Sequence, residues 1–223
     1  MCVNFRSNRA AADSTVAAIT TAGGSALAVQ ADISQEADVL RMFEACDARL
    51  GPLAALVNNA GVLERQTRVE QIDAARLQRV FATNVTGAFL CAREAVKRMS
   101  TSNVAARGAG GAIVNVSSRA AQLGAPGEYV DYAASKAALD ALTIGLSKEV
   151  AGEGIRVNGV RAGIIYTDIH ADGGEPGRVD RLGPTLPMKR GGHAIEVARA
   201  ILWLLSDEAS YSTGTFIDVA GGR

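Results

Sequence analysis

This chain of 223 residues lacks an excess of charge of either sign: 23 Lys and Arg face 23 Asp and Glu, for a net charge of zero. That balance gives no electrostatic footprint for nucleic acid or an anionic membrane, and no partner of either kind is expected. Histidine is scarce, with only His170 and His193, and the three cysteines Cys2, Cys46 and Cys91 lie far apart. No Cys/His group has metal-ligand spacing, which argues against a metal site. Wide spacing fits reduced, mostly buried thiols in a cytoplasmic protein. Long apolar runs are also missing. The longest strongly apolar run, Ile201–Leu205, is far too short to span a bilayer. The N-terminus has no basic stretch leading into an apolar one, so no secretion signal is read. A Gly-x-Ser-x-Gly elbow is absent, which rejects a serine hydrolase of that type. What remains is an ordinary globular composition, 48% apolar and 21% charged, with 24 glycines and no repeats. The length suits one domain, 1–223, with many tight turns.

Short β-branched runs alternate with longer helical stretches. Strands are expected at Cys2–Phe5, Ala26–Ala31, Leu53–Val57, Ala112–Val116, Ile155–Val160 and Thr215–Val219. Helices are expected at Asn8–Thr21, from Ser34 as N-cap to Leu50, at Ile72–Met99, Tyr129–Gly152 and Glu196–Leu205. Ser100–Gly111 reads as a loop and Asp168–Gly192 as a long irregular, polar one, either a cover for a substrate or a solvated excursion. The alternation implies an α/β fold, a doubly wound parallel sheet covered on both faces.

Tyr132-Ala-Ala-Ser-Lys136 is the sharpest feature. Residues i and i+4 share one helix face, so the spacing sets a phenol beside an ammonium. A free phenol has a pKa near 10, and lowering it by about 3 units takes roughly 4 kcal/mol. One cation about 4 Å away at an effective dielectric near 20 supplies about that amount. Tyr132 is therefore expected to become a useful acid/base through Lys136. Tyr129, seven residues from Lys136, reads as a decoy. Taken alone, Tyr-x-x-x-Lys also describes a plain exposed helix face. Its context is a strand ending in Ser117-Ser118 and another ending in Asn58-Asn59-Ala60-Gly61. Strand ends of a parallel sheet share one crevice, where ligands bind. Turn chemistry is the plainer reading of both stretches. Asn84 inside a helical run is either a kink or a buried polar relay.

Together with Asp32-Ile33, Asn84-Val85, Ile155-Arg-Val-Asn158 and Phe216-Ile-Asp-Val-Ala-Gly-Gly222, these motifs resemble the short-chain dehydrogenase/reductase family across the whole chain. The flavour is that of bacterial glucose 1-dehydrogenases and 3-oxoacyl-carrier-protein reductases. The resemblance implies a Rossmann-type fold and hydride transfer between NADP(H) and a small carbonyl or secondary alcohol substrate. It implies Tyr132 as acid/base, Lys136 as its activator and ribose ligand, Ser118 as polariser of the substrate oxygen, and Asn84 as holder of a relay water. Asp32 and Ile33 would contact adenine, Asn59, Ala60 and Gly61 would line the cofactor, and Ile165 and Thr167 would bind the carboxamide. It also implies a homotetramer or homodimer. Arg6 and Ser7 stand where NAD-specific relatives carry an acid, and suit a 2′-phosphate. NADP is therefore expected, with NAD as the alternative.

Departures from the family pattern are equally informative. Ala162 stands where the family usually has proline, a change worth about 0.4–1 kcal/mol through the unfolded chain. The family's first strand and Gly-rich pyrophosphate turn are missing. Gly108-Ala-Gly110-Gly111 precedes a strand instead of opening a helix, and reads as a loop. Three outcomes compete: Cys2–Phe5 moves into the vacated mid-sheet position, the sheet has a gap, or Met1 is internal to a longer product, and the last is the one expected. As written, the chain is expected to hold a dinucleotide weakly. The alternative to an enzyme is a non-catalytic remnant acting as an oligomer subunit or interaction module. A nucleotide-sugar epimerase or dehydratase is a weaker third, since little chain follows Lys136.

Overall fold

The computed structural model describes residues 1–103 and 108–223; part of the loop expected at Ser100–Gly111 lies outside the described residues. The elements run β1 (Cys2–Phe5), α1 (Arg9–Thr21), β2 (Leu27–Gln30), α2 (Glu36–Leu50), β3 (Ala55–Asn58) and α3 (Ala74–Phe81). They continue with α4 (Ala88–Met99), β4 (Gly111–Ser118), α5 (Ala120–Leu123), α6 (Val130–Val150) and β5 (Ile155–Ala162). The C-terminal part holds β6 (Ile165–Tyr166), α7 (Ile169–Asp172), α8 (Arg178–Leu182), β7 (Gly192–His193), α9 (Ala194–Leu205) and β8 (Phe216–Val219).

Local chemistry explains most boundaries. Asn8 caps α1, its side chain accepting from the Ala11 amide at 3.0 Å. Asp73 caps α3 through the Arg76 amide at 2.7 Å. Ser34 does not cap α2, contrary to expectation. Its amide and hydroxyl both donate to Asp32 Oδ1, and Gln35 takes the cap position without a side-chain bond. The carboxylate two residues back is the stronger acceptor and claims the serine first. The single helix expected over Ile72–Met99 is interrupted by a π-helical stretch, Ala82–Gly87, which contains Asn84. Such bulges recur at functional sites. Asp168–Gly192 is not irregular. β6 and β7 pair in parallel across its ends, α7 and α8 lie within it, and Tyr166 stacks on His193 with centroids 5.2 Å apart.

The main sheet has the order β3-β4-β5-β8, all parallel, and β1 pairs in parallel with β2. Among the described residues no ladder joins β1 to β3. Of the first two outcomes above, the gap is the one observed: β1 stays with β2. Both pieces rest on the same helices. Val39 and Phe43 of α2 and Ala95 and Met99 of α4 form one core with Ile113 and Val157, against which Cys2 and Leu56 also pack. On the opposite face Val197 and Leu204 of α9 cover Val114 and Val160. Central strands β4 and β5 are thus buried on both sides, which is why they read as continuous apolar runs. The Gly108–Gly111 cluster serves close approach. A Cβ at Gly111 would stand 2.6 Å from the Ala54 carbonyl oxygen, and one at Gly110 would stand 2.5 Å from that of Gly154.

A buried polar chain crosses this core below the strand ends. Asn58 Nδ2 donates to Asn115 Oδ1 at 2.9 Å, and Asn115 Nδ2 donates to Thr143 Oγ1 at 2.8 Å. It ties β3, β4 and α6 together, and Asn115 is fully buried. Replacing Asn115 by Ala leaves a cavity in a dry core and removes one of two partners from each neighbour, Asn58 keeping the Ala88 carbonyl and Thr143 that of Leu139. Urea unfolding of Asn115→Ala is expected to show a loss of about 2–4 kcal/mol, against little change for an exposed control such as Asp13→Ala.

Candidate active site

Side chains alternate along β4, so its terminal serines have different fates. Ser117 is buried, its hydroxyl donating to the Lys136 carbonyl at 3.3 Å. Ser118 opens onto a cavity of about 570 Å³; its hydroxyl donates to the Ala162 carbonyl at 3.4 Å and acts on the neighbouring Tyr132 phenol. Ser117 is thus a tie to α6, whereas Ser118 Oγ also accepts from the Ala120 amide at 3.1 Å, the local turn bond that the plainer reading expects. Tyr132 and Lys136, one turn apart on α6, line the same cavity. Facing them are Asn59, Ala60 and Gly61 from the end of β3, and Ile165 and Thr167 complete the wall.

The electrostatics differ from the expectation. The Lys136 ammonium is buried, donates to the Val116 carbonyl at 2.7 Å, and lies 5.7 Å from the centroid of the Tyr132 ring. Burial lowers Lys136 to about 8, opposed by the charge of Asp140. Burial raises Tyr132 to about 12, opposed by Ser118. Burial thus moves the phenol in the direction opposite to the expected lowering. Lys136 is buried and Tyr132 half-buried, and desolvation outweighs their mutual influence.

Asn84 does not line the cavity but stands behind its wall. It is 1% exposed, accepts from the Val62 amide at 2.7 Å, and donates to the Val62 carbonyl and to Ser135 Oγ, each at 3.0 Å. The kink reading holds, since Asn84 sits in a π-helical bulge, and its side chain is a buried polar clamp on the loop after β3. A Cβ on Gly61 would lie 3.4 Å from both Asn84 Oδ1 and Lys136 Nζ, so only a small residue brings that loop against them.

The residues expected at the adenine end lie apart from this cavity. Arg6 and Ser7 are exposed just past β1. Asp32 is engaged with Ser34, and Ile33 is 8% exposed and packed against Gly87. Conversely, cavity walls appear that the sequence reading missed. Tyr129, set aside as a decoy, is buried in the wall, its hydroxyl donating to the Gly173 carbonyl at 3.4 Å. Arg178 lies over its ring at 5.2 Å and pairs with Glu128 and Glu175. His170 also lines the cavity; Nε2 donates to the Ile165 carbonyl at 2.9 Å, and burial lowers its pKa. No local motif marks these residues, because the fold of the 168–192 segment brings them here.

Comparison with known proteins fits this geometry. The family model described as enoyl-(acyl carrier protein) reductase matches residues 3–223. The oxidoreductase YgfF of Escherichia coli (strain K12) is 62% identical over 223 residues, covering 100% of this chain and 89% of that protein. Glucose 1-dehydrogenase 2 of Bacillus subtilis (strain 168) is 34% identical over 220 residues, 99% of this chain and 82% of that one. A short-chain type dehydrogenase/reductase from Mycobacterium marinum superposes with a TM-score of 0.89 at 31% identity, over 99% of this chain and 84% of that one. A blue fluorescent protein from a metagenomic library, in complex with NADPH, superposes at 0.87 with 28% identity, over 99% and 86%. The chain belongs to the short-chain dehydrogenase/reductase family of NAD(P)-dependent oxidoreductases.

The buried lysine has a consequence for stability. Its folded pKa of about 8 lies below the model-compound value of 10.5, so above pH 8 the unfolded chain binds more protons than the folded one. Stability attributable to Lys136 therefore rises with pH, by about 2 kcal/mol between pH 8 and 10. Urea unfolding at those two pH values should show this rise in the wild-type chain relative to Lys136→Met, in which it disappears.

Proposed function

We propose that this chain is an NADP(H)-linked carbonyl reductase or secondary alcohol dehydrogenase with Tyr132 as the acid/base. The observation that carries this reading is the convergence of Ser118, Tyr132 and Lys136 on one cavity, opposite Asn59, Ala60 and Gly61. The residues at this end suit a nicotinamide nucleotide. Ala60 and Gly61 leave backbone open to a flat ring, while Lys136 and Thr167 present donors to a ribose and a carboxamide. When bound, the nicotinamide supplies or accepts the hydride. Ser118 holds the substrate oxygen. Tyr132, protonated near neutrality, gives its proton to that oxygen as negative charge develops there. Lys136, cationic below about pH 8, stabilises the phenolate left behind. Asn84 keeps the loop carrying Gly61 in place.

Arg6 and Ser7 support NADP over NAD, since no acid stands there to repel a 2′-phosphate and arginine offers a fork of donors. Self-association is supported by exposed apolar residues on separate faces: Phe89 and Ile144 on α4 and α6, and Leu202 and Trp203 on α9. The split between β1 and β3 favours a second reading, that the chain lacks turnover and serves as a subunit of an assembly. NADPH fluorescence titration separates the two, because no binding at millimolar concentration favours the second.

The first reading is checked by following NADPH oxidation over a panel of ketones and aldehydes. Tyr132→Phe is expected to lower kcat by about a hundredfold or more while leaving the NADPH Kd within about threefold. Retained turnover in Tyr132→Phe removes the mechanism. Arg6→Ala is expected to raise the KM for NADPH about tenfold through loss of one charge-assisted contact, with the KM for NADH unchanged.

A further inference from the structure

We propose that Asp140 is a positioning residue, whose carboxylate supplies the counter-charge that keeps the buried Lys136 ammonium cationic and directed at the mouth of the cavity. This rests on the reading of Tyr132 and Lys136 as the reacting pair. Lys136 and Asp140 are four residues apart on α6 and share one helix face. Asp140 is 8% exposed, and its two oxygens are unequally used. Oδ2 accepts from Arg161 Nε at 2.8 Å, whereas Oδ1 is buried without a hydrogen-bond partner. A purely structural tie between α6 and β5 needs only the first of these. Leaving the second oxygen dry and uncovered is costly unless a cation nearby compensates it.

The carboxylate is also held in place. The Arg161 guanidinium lies 3.7 Å from the Phe216 ring centroid, its Nη1 is 3.7 Å from Asp218, and Asp218 pairs with Arg119 at 2.8 Å. Charges therefore alternate from Lys136 through Asp140, Arg161 and Asp218 to Arg119 at the surface. The groups that face Lys136 are the Tyr132 ring and Asp140 on α6, the Val116 carbonyl of β4, and Asn84 of the π-helical stretch across Gly61. β5 contributes Arg161, one step further along the series. Of these only Asp140 is negative, and its charge acts on Lys136 against the effect of burial. Asparagine at 140 preserves an acceptor for Arg161 and removes the charge.

The chain has four lysines, so labelling with lysine enriched at 13Cε gives a small set of signals, and comparison with Lys136→Met identifies the one of interest. In a pH titration, the Lys136 midpoint is expected to fall by about one unit in Asp140→Asn and to return toward wild type in Asp140→Glu. The alkaline limb of NADPH-dependent ketone reduction is expected to move by the same amount. An unchanged midpoint and an unchanged limb in a folded Asp140→Asn chain overturn the proposal, even where its Tm is lower, because a structural tie alone gives that result. Should Asp140→Asn not fold, Asp140→Ser is titrated in its place with the same expectation. A shifted Lys136 midpoint in a chain that reduces no carbonyl at any pH supports the counter-charge and removes the reading of Tyr132 and Lys136 as reacting groups.

Discussion

A desolvated ammonium held by a strand carbonyl is the constraint around which this molecule's working end is built. Lys136 is 4% exposed and donates to Val116 at 2.7 Å. Taking a cation out of water is expensive unless its acceptors are fixed before it arrives. Here the acceptor is the backbone near the end of β4, and β4 is paired on both sides and covered on both faces. The rigidity of the central strand is thus what makes the buried charge affordable. Tyr132, Ser118 and the loop through Gly61 are then placed relative to that charge, not the reverse.

The same arrangement separates chemistry from cofactor capture. Ser118, Tyr132 and Lys136 all belong to the four-stranded piece or to the helix packed on it. Arg6, Ser7, Asp32 and Ile33 follow the strands of the two-stranded piece. What couples the pieces is the shared floor of α2 and α4, a core of apolar contacts without backbone ladders across the split. Apolar packing is non-directional, whereas a ladder fixes register. The positions of Ser118, Tyr132 and Lys136 are therefore set more tightly than those of Arg6, Ser7, Asp32 and Ile33, which the proposal gives to the dinucleotide's far end.

How much of this the sequence disclosed depended on whether a feature is local. The Tyr132–Lys136 face and the apolar runs of β4 and β5 follow from periodicities of 3.6 and 2, and each was legible. The two strand-end motifs were legible as places, because parallel strands deliver their ends to one crevice. Ionisation was not. The spacing showed that an ammonium stands near a phenol, but the direction of their shifts depends on burial, which no spacing encodes. The order within 168–192 was also hidden, since β6 and β7 are two residues each and their ladder closes across that long segment. Ser34 failed as a cap because its competitor, Asp32, lies two residues away and outbids the helix amides for its hydrogens.

The charges of the 168–192 segment seemed from composition alone to equip it either for a polar substrate or for solvent. In the fold most of them are spent within the segment and on the adjoining α6 entry. Arg178 is 4% exposed and shared between Glu128 and Glu175, Arg181 also pairs with Glu175, and the Tyr166 hydroxyl donates to Asp180. Exposed pairs of this kind contribute little, but Arg178 is buried between two carboxylates and over the Tyr129 ring, where a lost partner is costly. Its charge is therefore already balanced before any ligand arrives. A carboxylate or phosphate entering this part of the cavity would have to compete with Glu128 and Glu175 for the same guanidinium.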